Sequence, residues 1–361
     1  MPRPPAPICV LGSHELDYPR NRVLQTALRR GGRELEVCHS RAPFPWRHLI
    51  LARQLLGVDR RAKVVYVTEG GHRLVPLVRA LCRLTGRRIL FDPFLSRYNT
   101  RVEDRKLYAP GSLQAWVAHW QDWSSCRAAD FLIFDTHEHR DYFYARYGLT
   151  QPSAVVPVGV PEMFSPEPPP APPAPGEPTR VLFYGTYIPL QGIETILRAA
   201  ARVTAEAEIT IIGRGQTWEA MQAVAGELGL LGSERVAFED PVPFETLPGR
   251  LAAAHLSLGI FGTTDKAMRV VPNKVVQAAA MGRPIITGDT PAIRRYFEHG
   301  ETAWLVPPGD PAALAEAIDH LCGAPERLKA LGEGAARVFE EHFSLEAIST
   351  TMLRSVERLE A

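Results

Sequence analysis

The chain has 361 residues, of which 45% are hydrophobic, 8% aromatic and 22% charged, with 41 Lys and Arg against 40 Asp and Glu. This composition is ordinary for a soluble globular protein, and the length predicts two domains. Apolar runs such as 64–68 and 209–212 fall far short of the roughly 18 residues that a membrane-spanning helix needs. An integral membrane protein is therefore excluded.

The five cysteines are scattered and never spaced as Cys-x-x-Cys, so neither a disulfide framework nor a zinc site is indicated. No apolar stretch of signal-peptide length follows the first seven residues. We therefore expect a cytoplasmic protein in a reducing compartment.

The balanced total charge hides an asymmetry between the two halves. Residues 1–160 contain 24 Lys and Arg against 14 Asp and Glu, a net +10, so residues 161–361 contain 17 against 26, a net −9. The basic half suggests an anionic partner, either a phosphate-bearing substrate or an anionic membrane surface. The alternative is an Arg-rich solvated surface, with the two halves attracting each other. Because no recognition motif accompanies the basic half, we expect no nucleic-acid partner.

The first half alternates short apolar runs with helical stretches. An amphipathic helix follows the first run, 8–11, and ends at Gly31-Gly32. The further predicted strands are 35–38, 64–67, 88–91, 131–134 and 154–158. Residues 1–160 are thus predicted to form one Rossmann-like domain.

A run with nine prolines between Pro161 and Pro178 follows, and it predicts an extended linker over residues 161–179. The alternation resumes over 180–344, with strands 181–184, 209–212, 236–238, 256–260 and 284–287 and helices 193–202, 218–228, 244–254 and 273–281. Alternating strands and helices predict parallel sheets with right-handed crossovers. The fold class is therefore α/β, two doubly wound Rossmann-like domains whose strand ends face a cleft.

Two glycine motifs end strands of the second domain. Gly185 allows backbone to approach a ligand, and the helix after it offers N–H groups to a phosphate. Ile212-Gly213-Arg214-Gly215 is half of a dinucleotide fingerprint, but Trp218 stands where the third glycine belongs. A Rossmann dehydrogenase is therefore the weaker alternative.

Three cations, Lys266, Arg269 and Lys274, precede or open the helix that begins at Asn273. Together with the positive end of the helix dipole, they would favour a diphosphate. The alternative is that they are solvated loop residues.

Seven short motifs occur in a fixed order along the chain. They are Val155-Val156-Pro157-Val158-Gly159-Val160 with Phe164-Ser165-Pro166, Tyr184-Gly185 with Gly192, Ile212-Gly213-x-Gly215, Arg235-Val236-Ala237-Phe238 with 243–247, Pro272-Asn273-Lys274, 280–286, and 305–310. In this order they resemble the nucleotide-binding domain of the retaining glycosyltransferases of family 4, which have the GT-B architecture.

The resemblance implies transfer of a sugar, of the hexosyltransferase type, from a nucleotide diphosphate sugar to a sugar or lipid-linked acceptor, with retention. It implies no obligatory metal or cofactor, a role in glycoconjugate or polysaccharide synthesis, and a carboxyl-terminal helix, 345–361, that packs back on the first domain. The donor-binding residues that we expect on this basis are Gly12, Arg20, Gly185, Thr186, Gly213, Arg214, Asn273, Lys274 and Gln277.

The sequence also departs from the family pattern. Members usually carry two glutamates eight positions apart, and these positions hold Arg269 and Gln277. The Gln277 amide could still bind ribose hydroxyls, since it both donates and accepts. Members also carry cations where Thr186 and Gln191 stand. We infer that Lys266, Arg269 and Lys274 supply this charge, with Lys266 and Arg269 in the catalytic role of stabilising the leaving phosphate.

The first domain carries the predicted acceptor side. Asp92 ends a strand where family members often place a polar group near the transferred sugar, and it is our candidate for the acceptor-side base. The predicted acceptor-binding residues are Tyr18, Asn21, Asp135 and His137, although Asn21 has an alternative role as a helix cap. The acid and base groups around His137 are not expected to bind metal.

Aromatic side chains accompany basic ones at 44–56, and Trp116, Trp120 and Trp123 recur at helical spacing. Such spacing favours core positions; exposed, these residues would suit docking at the inner face of an anionic membrane. Two rivals to a transferase remain. They are a nucleotide-sugar epimerase and a non-catalytic sugar-nucleotide-binding scaffold, the latter favoured by the missing glutamates.

Overall fold

The computed structural model describes residues 5–12, 18–174 and 176–361. Its strands are β1 (Ile8–Gly12), β2 (Leu35–His39), β3 (Val64–Val67), β4 (Arg88–Phe91), β5 (Phe131–Phe134), β6 (Ser153–Val155), β7 (Thr179–Tyr184), β8 (Ala207–Ile212), β9 (Val236–Glu239), β10 (Leu256–Leu258), β11 (Ile285–Gly288) and β12 (Trp304–Val306). Its α-helices are α1 (Pro19–Arg30), α2 (Trp46–Gly57), α3 (Val75–Thr85), α4 (Leu113–Ala128), α5 (His137–Tyr147), α6 (Ile193–Ala200), α7 (Trp218–Glu227), α8 (Leu247–Ala253), α9 (Asn273–Ala280), α10 (Pro291–Arg294), α11 (Pro311–Cys322), α12 (Pro325–Val338) and α13 (Leu345–Glu360).

The chain divides into two compact units. Unit 1 comprises Met1–Pro161 with Ser344–Ala361, and unit 2 comprises Glu162–Phe343. Each unit contains a six-stranded parallel sheet, in the order β2-β1-β3-β4-β5-β6 in unit 1 and β12-β11-β10-β7-β8-β9 in unit 2. The predicted α/β class with two doubly wound sheets is confirmed.

The strand order fixes where each sheet can bind a ligand. The order reverses between β1 and β3 in unit 1, and between β7 and β10 in unit 2. In open α/β sheets, ligands bind outside the carboxyl ends of the strands at such reversal points. The residues that follow β1, β3, β7 and β10 are therefore the expected ligand-binding positions of the two sheets.

Alternating side chains give the sheet of unit 1 two buried faces. Leu11, Val65 and Phe91 lie on the face that α2, α3 and α5 cover. Val10 and Tyr66 lie on the opposite face, and α1 and α13 cover it. Two separate layers of helices thus complete this α/β unit.

Helix α13 is a full member of the core of unit 1. Its residues Ile348, Met352 and Val356 recur every four positions and are fully buried, as one face of an amphipathic helix requires. Ser349 donates to the carbonyl of Ala27 in α1 at 2.7 Å, and Arg33 forms a two-pronged ion pair with Glu360 at 2.6 and 2.8 Å. The last helix is therefore bound to α1 by apolar packing and by polar contacts.

The proline-rich run differs from the free linker that its composition suggests. The fully buried guanidinium of Arg283 donates to the carbonyls of Glu167 and Pro168 at 3.0 and 2.9 Å. The ring of His255 lies 3.0 Å from the carbonyl oxygen of Ala171. Proline lacks an N–H donor but keeps its acceptor, and an extended backbone leaves its carbonyls available. The run therefore packs on unit 2.

Several predicted bounds shift for local reasons. Strand β6 ends at Val155 rather than 158, because Pro157 cannot donate to the sheet. The predicted helix 244–254 splits into a 3-10 turn, Phe244–Thr246, and α8, whose first turn holds a proline. The predictions for 64–67, 88–91 and 131–134 coincide with β3, β4 and β5.

The interpretation of Trp116, Trp120 and Trp123 as core residues is wrong. Their exposed fractions are 61%, 46% and 38%. The buried stripe of α4 instead consists of small and polar residues that share the helical spacing, namely Ala115, Ala118, Gln121, Asp122, Ser125 and Cys126.

No helix in the described ranges is long and apolar enough to cross a bilayer.

Candidate functional site

The strand-end edge of unit 1 holds a buried ion pair. Asp92 directly follows β4, and Arg20 lies in the first turn of α1. Arg20 Nε and Nη2 donate to the two Asp92 oxygens at 2.7 and 3.3 Å, and Nη1 donates to the Val156 carbonyl at 3.0 Å. Arg20 is 3% exposed and Asp92 is not exposed at all. The pair joins α1 to the ends of β4 and β6.

This pairing bears on the two roles predicted for these residues. Burial raises the pKa of Asp92, and the Arg20 guanidinium offsets the rise only in part. The Phe94 N–H also donates to the carboxylate, at 3.2 Å. For Arg20 to meet donor phosphates, or Asp92 to act as a base, the ion pair would first have to open.

The other predicted acceptor-side residues lie along the same edge. Asp135 follows β5, is buried, and contacts His139 Nδ1 at 2.6 Å. Burial would raise the pKa of Asp135, but the His139 and Arg20 charges outweigh it and lower the pKa. His137 is half-buried at the start of α5.

The amino-terminal side of α1 supplies the rest. Asn21 is fully buried in the first turn, and Tyr18 is half-buried, with its ring centroid 6.2 Å from that of Phe94 in an edge-to-face arrangement. Gly12 ends β1, and residues 13–17, which follow it, lie outside the described residues. The structure thus places Gly12, Tyr18, Asn21, Asp92 and Asp135 at one end of one sheet, without testing their roles.

Sequence reasoning missed Glu69. It follows β3 by two residues, at the point where the strand order reverses. Burial, with the nearby Asp92 charge, raises the pKa of Glu69 to about 7, and Arg20 and Asn21 oppose the rise. The sequence does contain a pattern that could have identified Glu69. The polar pair Thr68-Glu69 directly follows a predicted strand, as Asp92 does.

In unit 2, four predicted donor-binding residues line one pocket of about 190 Å³. They are Gly185, Thr186, Gly213 and Arg214. Gly213 has a φ of 140°, and a Cβ atom there would collide with the Gly185 carbonyl. The glycine therefore allows the ends of β7 and β8 to approach each other closely.

The cation in this pocket already has protein partners. Arg214 Nε donates to Asp240 at 2.5 Å, and its guanidinium lies 3.9 Å from the centre of the Trp218 ring. Both charged groups are exposed, so solvent screens this pair. Arg214 could leave Asp240 and contact a ligand at little cost in free energy. Because its charge is already paired and solvated, it is weak evidence for an anionic ligand.

Lys274, in the first turn of α9, is a buried cation of unit 2. Its Nζ donates to Gln191 Oε1 at 2.5 Å and lies 3.6 Å from the centre of the Phe183 ring. It is 5% exposed, and a Cβ atom on Gly185 would lie 2.9 Å from Nζ. The ammonium therefore sits beside Gln191 and Gly185, where the family pattern places a cation.

Burial lowers the pKa of Lys274 well below its ordinary value, and no carboxylate within the described residues offsets this. A buried ammonium with neutral and aromatic neighbours is costly to keep charged. An anion bound beside it would remove this cost. The arrangement therefore suits an anionic ligand at this end of α9.

The remaining predicted donor-side residues surround α9. Gln277 is buried one turn beyond Lys274, and its Oε1 accepts from the Tyr184 hydroxyl at 2.7 Å. Asn273 opens α9, and a 3-10 turn, Ala267–Arg269, precedes it. Lys266 is buried at 8% exposure, and its carbonyl accepts from the Arg269 N–H at 3.1 Å.

A larger cavity of about 510 Å³ lies at the start of α6. Gly192, Gly262 and Thr263 line it. A Cβ atom on Gly192 would collide with the backbone of Phe261 and Gly262, so the two segments meet closely here. The helix start that sequence analysis expected to offer N–H groups to a phosphate thus opens on a cavity.

Comparison with known proteins gives these features a context. Residues 178–323 match the family model described as glycosyl transferases group 1. Over 167 residues, 44% of this chain, the sequence is 32% identical to the phosphatidyl-myo-inositol mannosyltransferase of Mycobacterium leprae. Over 170 residues, 46% of this chain, it is 25% identical to the alpha-D-kanosaminyltransferase of Streptomyces kanamyceticus. The chain spans 42% of the length of each of these two relatives.

Solved structures extend the likeness to the whole chain. HepE of Anabaena, solved in complex with UDP, superposes with a TM-score of 0.72 over 98% of this chain and 100% of HepE, at 14% identity. Sucrose-phosphate synthase of Thermosynechococcus elongatus gives a TM-score of 0.75, over 98% of this chain and 99% of the synthase, at 17% identity. The chain thus has the fold of the GT-B glycosyltransferases, and its second unit carries the match to the group 1 family model.

Proposed function

We propose that this protein is a glycosyltransferase that moves a sugar from a nucleotide diphosphate sugar, bound by unit 2, to an acceptor bound by unit 1. One observation carries the proposal. The segment that matches the family model, 178–323, also holds the buried Lys274 ammonium beside Gln191 and Gly185. A buried cation at a strand end is a binding site for the diphosphate of such a donor.

The donor contacts follow from the strand ends. Gly185 and Gly213 leave room for the diphosphate to approach the backbone, and Lys274 supplies positive charge next to it. The Gln277 amide, placed by the Tyr184 hydroxyl, binds ribose hydroxyls. Lys266 and Arg269 stabilise negative charge on the leaving phosphate as the glycosidic bond to the sugar breaks.

The acceptor hydroxyl attacks the anomeric carbon, and its proton passes to a base. Retention of configuration and independence of metal are part of this proposal through the resemblance to family 4. The acceptor serves glycoconjugate or polysaccharide synthesis. On the acceptor side, Glu69 joins Asp92 as a candidate base, since the pKa of Glu69, about 7, suits proton exchange near neutral pH.

Donor binding is tested first with UDP, because HepE was solved in complex with UDP. GDP, ADP and their common sugars complete a thermal-shift and calorimetric screen without added metal. A ligand at a hundredfold excess over its Kd stabilises the folded state by about 2.7 kcal/mol. We expect one base to be selected. A folded protein that responds to none of the nucleotides would contradict the proposal.

A non-catalytic scaffold is the second candidate, and Arg269 and Gln277 at the two glutamate positions favour it. Incubation with the selected donor sugar separates the two. A transferase releases nucleotide diphosphate slowly to water and faster with an acceptor, whereas a scaffold binds the donor and releases none. An Arg269→Ala variant should lose at least tenfold in donor affinity if its charge contacts the diphosphate.

We also propose that unit 1 docks on an anionic membrane surface, at the inner face of the membrane. Helix α2 buries Leu51 and Leu55, while Trp46, Leu49 and Leu56 are 62%, 60% and 56% exposed. Exposed apolar side chains on a basic unit suit an amphipathic helix lying in a lipid surface. Co-sedimentation with anionic liposomes should fall when Trp46 and Leu49 are changed to Ser. A protein that stays in the supernatant would refute this proposal.

A further inference from the structure

Unit 1 contains a cavity of about 410 Å³ that has no role so far. It lies at the carboxyl ends of β3 and β4, where Glu69 and Gly70 form one wall and the segment from Leu95 to Arg97 another. The chain between Thr100 and Tyr108 closes the remaining side. The cavity is thus built by three segments of one unit.

Three arginines line this cavity, Arg97, Arg101 and Arg105. Burial lowers the pKa of Arg97, and the like charges of Arg101 and Arg73 lower it further. Burial and the Arg97 charge also lower the pKa of His72, on the cavity wall, to about 3, so His72 is neutral there. Arg97 therefore lies in a buried position with other basic side chains near it, and Asp122 opposes their effect on its pKa only in part.

A buried carboxylate fixes the segment that carries Arg97. Asp122 is fully buried and accepts the N–H groups of Arg97 and Tyr98, both at 2.9 Å. It also accepts the hydroxyls of Ser96 and Tyr147 at 2.7 and 2.9 Å. With its backbone held in this way, Arg97 is preorganised and does not rely on a flexible loop.

Two of these arginines, Arg97 and Arg101, differ in how their side-chain nitrogens are satisfied. Arg101 Nη1 donates to the Tyr108 hydroxyl at 3.2 Å. The Arg97 Nε is buried, and it lacks a hydrogen-bond partner among residues 5–12, 18–174 and 176–361. A buried guanidinium nitrogen without an acceptor is costly, and an oxyanion in the cavity would satisfy it.

The lining of the cavity carries more basic than acidic groups. It contains three guanidinium groups and one carboxyl group, that of Glu69, whose pKa burial raises to about 7. The Asp122 charge acts on Arg97 from outside this lining. Arginine binds phosphate oxygens in a two-pronged geometry, and several arginines suit a multiply charged group.

We propose that this cavity binds the phosphate or diphosphate ester of a sugar acceptor. The anion site is inferred from the geometry of unit 1 alone. Only the assignment of its ligand as the acceptor rests on the proposed function. The cavity exceeds the size of a phosphate group, and Leu95, Leu107 and Tyr108 provide apolar wall for a sugar ring. The carboxyl group of Glu69 lies where it can donate to or accept from a sugar hydroxyl.

Calorimetry with glucose 1-phosphate tests the site on the full chain. Arg97→Met and Arg101→Met should each weaken binding at least tenfold while leaving the affinity for UDP unchanged. The matched control Arg60→Met removes one exposed arginine of the same unit and should change neither affinity. Lys274→Met should weaken the binding of UDP and leave the affinity for glucose 1-phosphate unchanged.

A second arm distinguishes a soluble acceptor from a lipid-linked one. Vesicles of neutral phosphatidylcholine are prepared with and without an undecaprenyl diphosphate, and co-sedimentation is compared for the same variants. Binding of glucose 1-phosphate that depends on Arg97 supports a soluble phosphosugar, and Arg97-dependent binding only to the diphosphate vesicles supports a lipid-linked one. Either result confirms the anion site.

Two results would overturn the inference. One is that neither probe binds, and the other is that both bind Arg97→Met and Arg101→Met as tightly as the parent protein. Unchanged thermal unfolding of the two variants shows that they remain folded. If no nucleotide of the screen binds while phosphosugar binding still depends on Arg97, the proposed donor is refuted and the anion site stands, so the two failures are distinguishable.

Discussion

The strand-end edges of the two units handle buried charge in opposite ways. In unit 1, Arg20 and Asp92 neutralise each other, and Asp135 is paired with His139. In unit 2, Lys274 is equally buried but contacts an amide oxygen and an aromatic ring. A buried charge with an internal partner is explained by the fold, whereas one without a partner needs something from outside. The contrast indicates that the two ion pairs of the first edge stabilise the fold, and that Lys274 at the second edge binds a ligand.

The largest effect should follow from breaking the pair in unit 1. Asp92→Asn leaves the Arg20 guanidinium buried without its counter-charge, which should lower the free energy of unfolding by about 3–5 kcal/mol. Urea denaturation followed by circular dichroism measures this. The control Glu194→Gln removes an exposed pair with Arg198, worth about 0–1 kcal/mol. Equal losses in the two variants would show that the buried pair is no more important than the exposed one.

The opposite response is expected at Lys274. Lys274→Met replaces an unpaired buried ammonium with an apolar chain of similar length, so stability should be unchanged or higher. Affinity for UDP should fall at least tenfold, about 1.4 kcal/mol. The exposed Lys329→Met is the control, and calorimetry is the measurement. A destabilised variant with full UDP affinity would place Lys274 among the structural charges instead.

Glu69 sharpens the comparison, because it is a carboxyl group at the first edge whose pKa burial raises. Its folded-state pKa, about 7, lies above the ordinary value of 4.5, so the folded state binds the proton more tightly than the unfolded state. Stability should therefore decline as the pH rises from about 4.5 to about 7 and be level above that.

Glu69→Gln should remove this part of the pH dependence, which we expect to be about 3.5 kcal/mol at most, given about 1.4 kcal/mol per pKa unit. Urea midpoints for the parent and variant between pH 4 and 8 provide the measurement. Parallel profiles across that range would contradict a raised pKa for Glu69.

The smallest predicted effect is the uptake of less than one proton when the donor binds. Burial lowers the pKa of Lys274, and an adjacent diphosphate would raise it again, so binding should take up protons and weaken as the pH rises through the bound-state pKa. Calorimetry in two buffers of different ionisation enthalpy measures the uptake. The uptake should disappear in Lys274→Met. Identical apparent enthalpies for the parent protein in both buffers would mean that Lys274 is already charged or does not meet the ligand.

The repeating elements of the fold were predictable because the spacing of apolar residues and the Gly and Pro residues between the elements indicate the same boundaries. Strands β3 and β5 are continuous apolar runs, and β4 is one after its first residue, Arg88, as expected when helices cover both faces of a parallel sheet. Strand β12 was missed as an element, since its three residues are too few to show a period.

The contacts of the site were less predictable than its position. Strand-end reasoning located Asp92, Gly185 and Lys274, but it could not show that Arg20 pairs with Asp92 across 72 positions of sequence. The same reasoning read the tryptophans of α4 as core, because large aromatic residues suggested burial when the small residues form the buried stripe. Pairing partners and helix rotation are set by tertiary packing, which no local pattern contains.

The position of α13 has a consequence for the order in which the protein folds. The helix follows unit 2 along the chain, yet its buried residues complete the core of unit 1. During synthesis, unit 2 has all of its residues before unit 1 does, although unit 1 begins first. Until the ribosome releases the last helix, one face of the first sheet lacks part of its cover. A nascent chain that lacks α13 therefore exposes apolar surface beside α1.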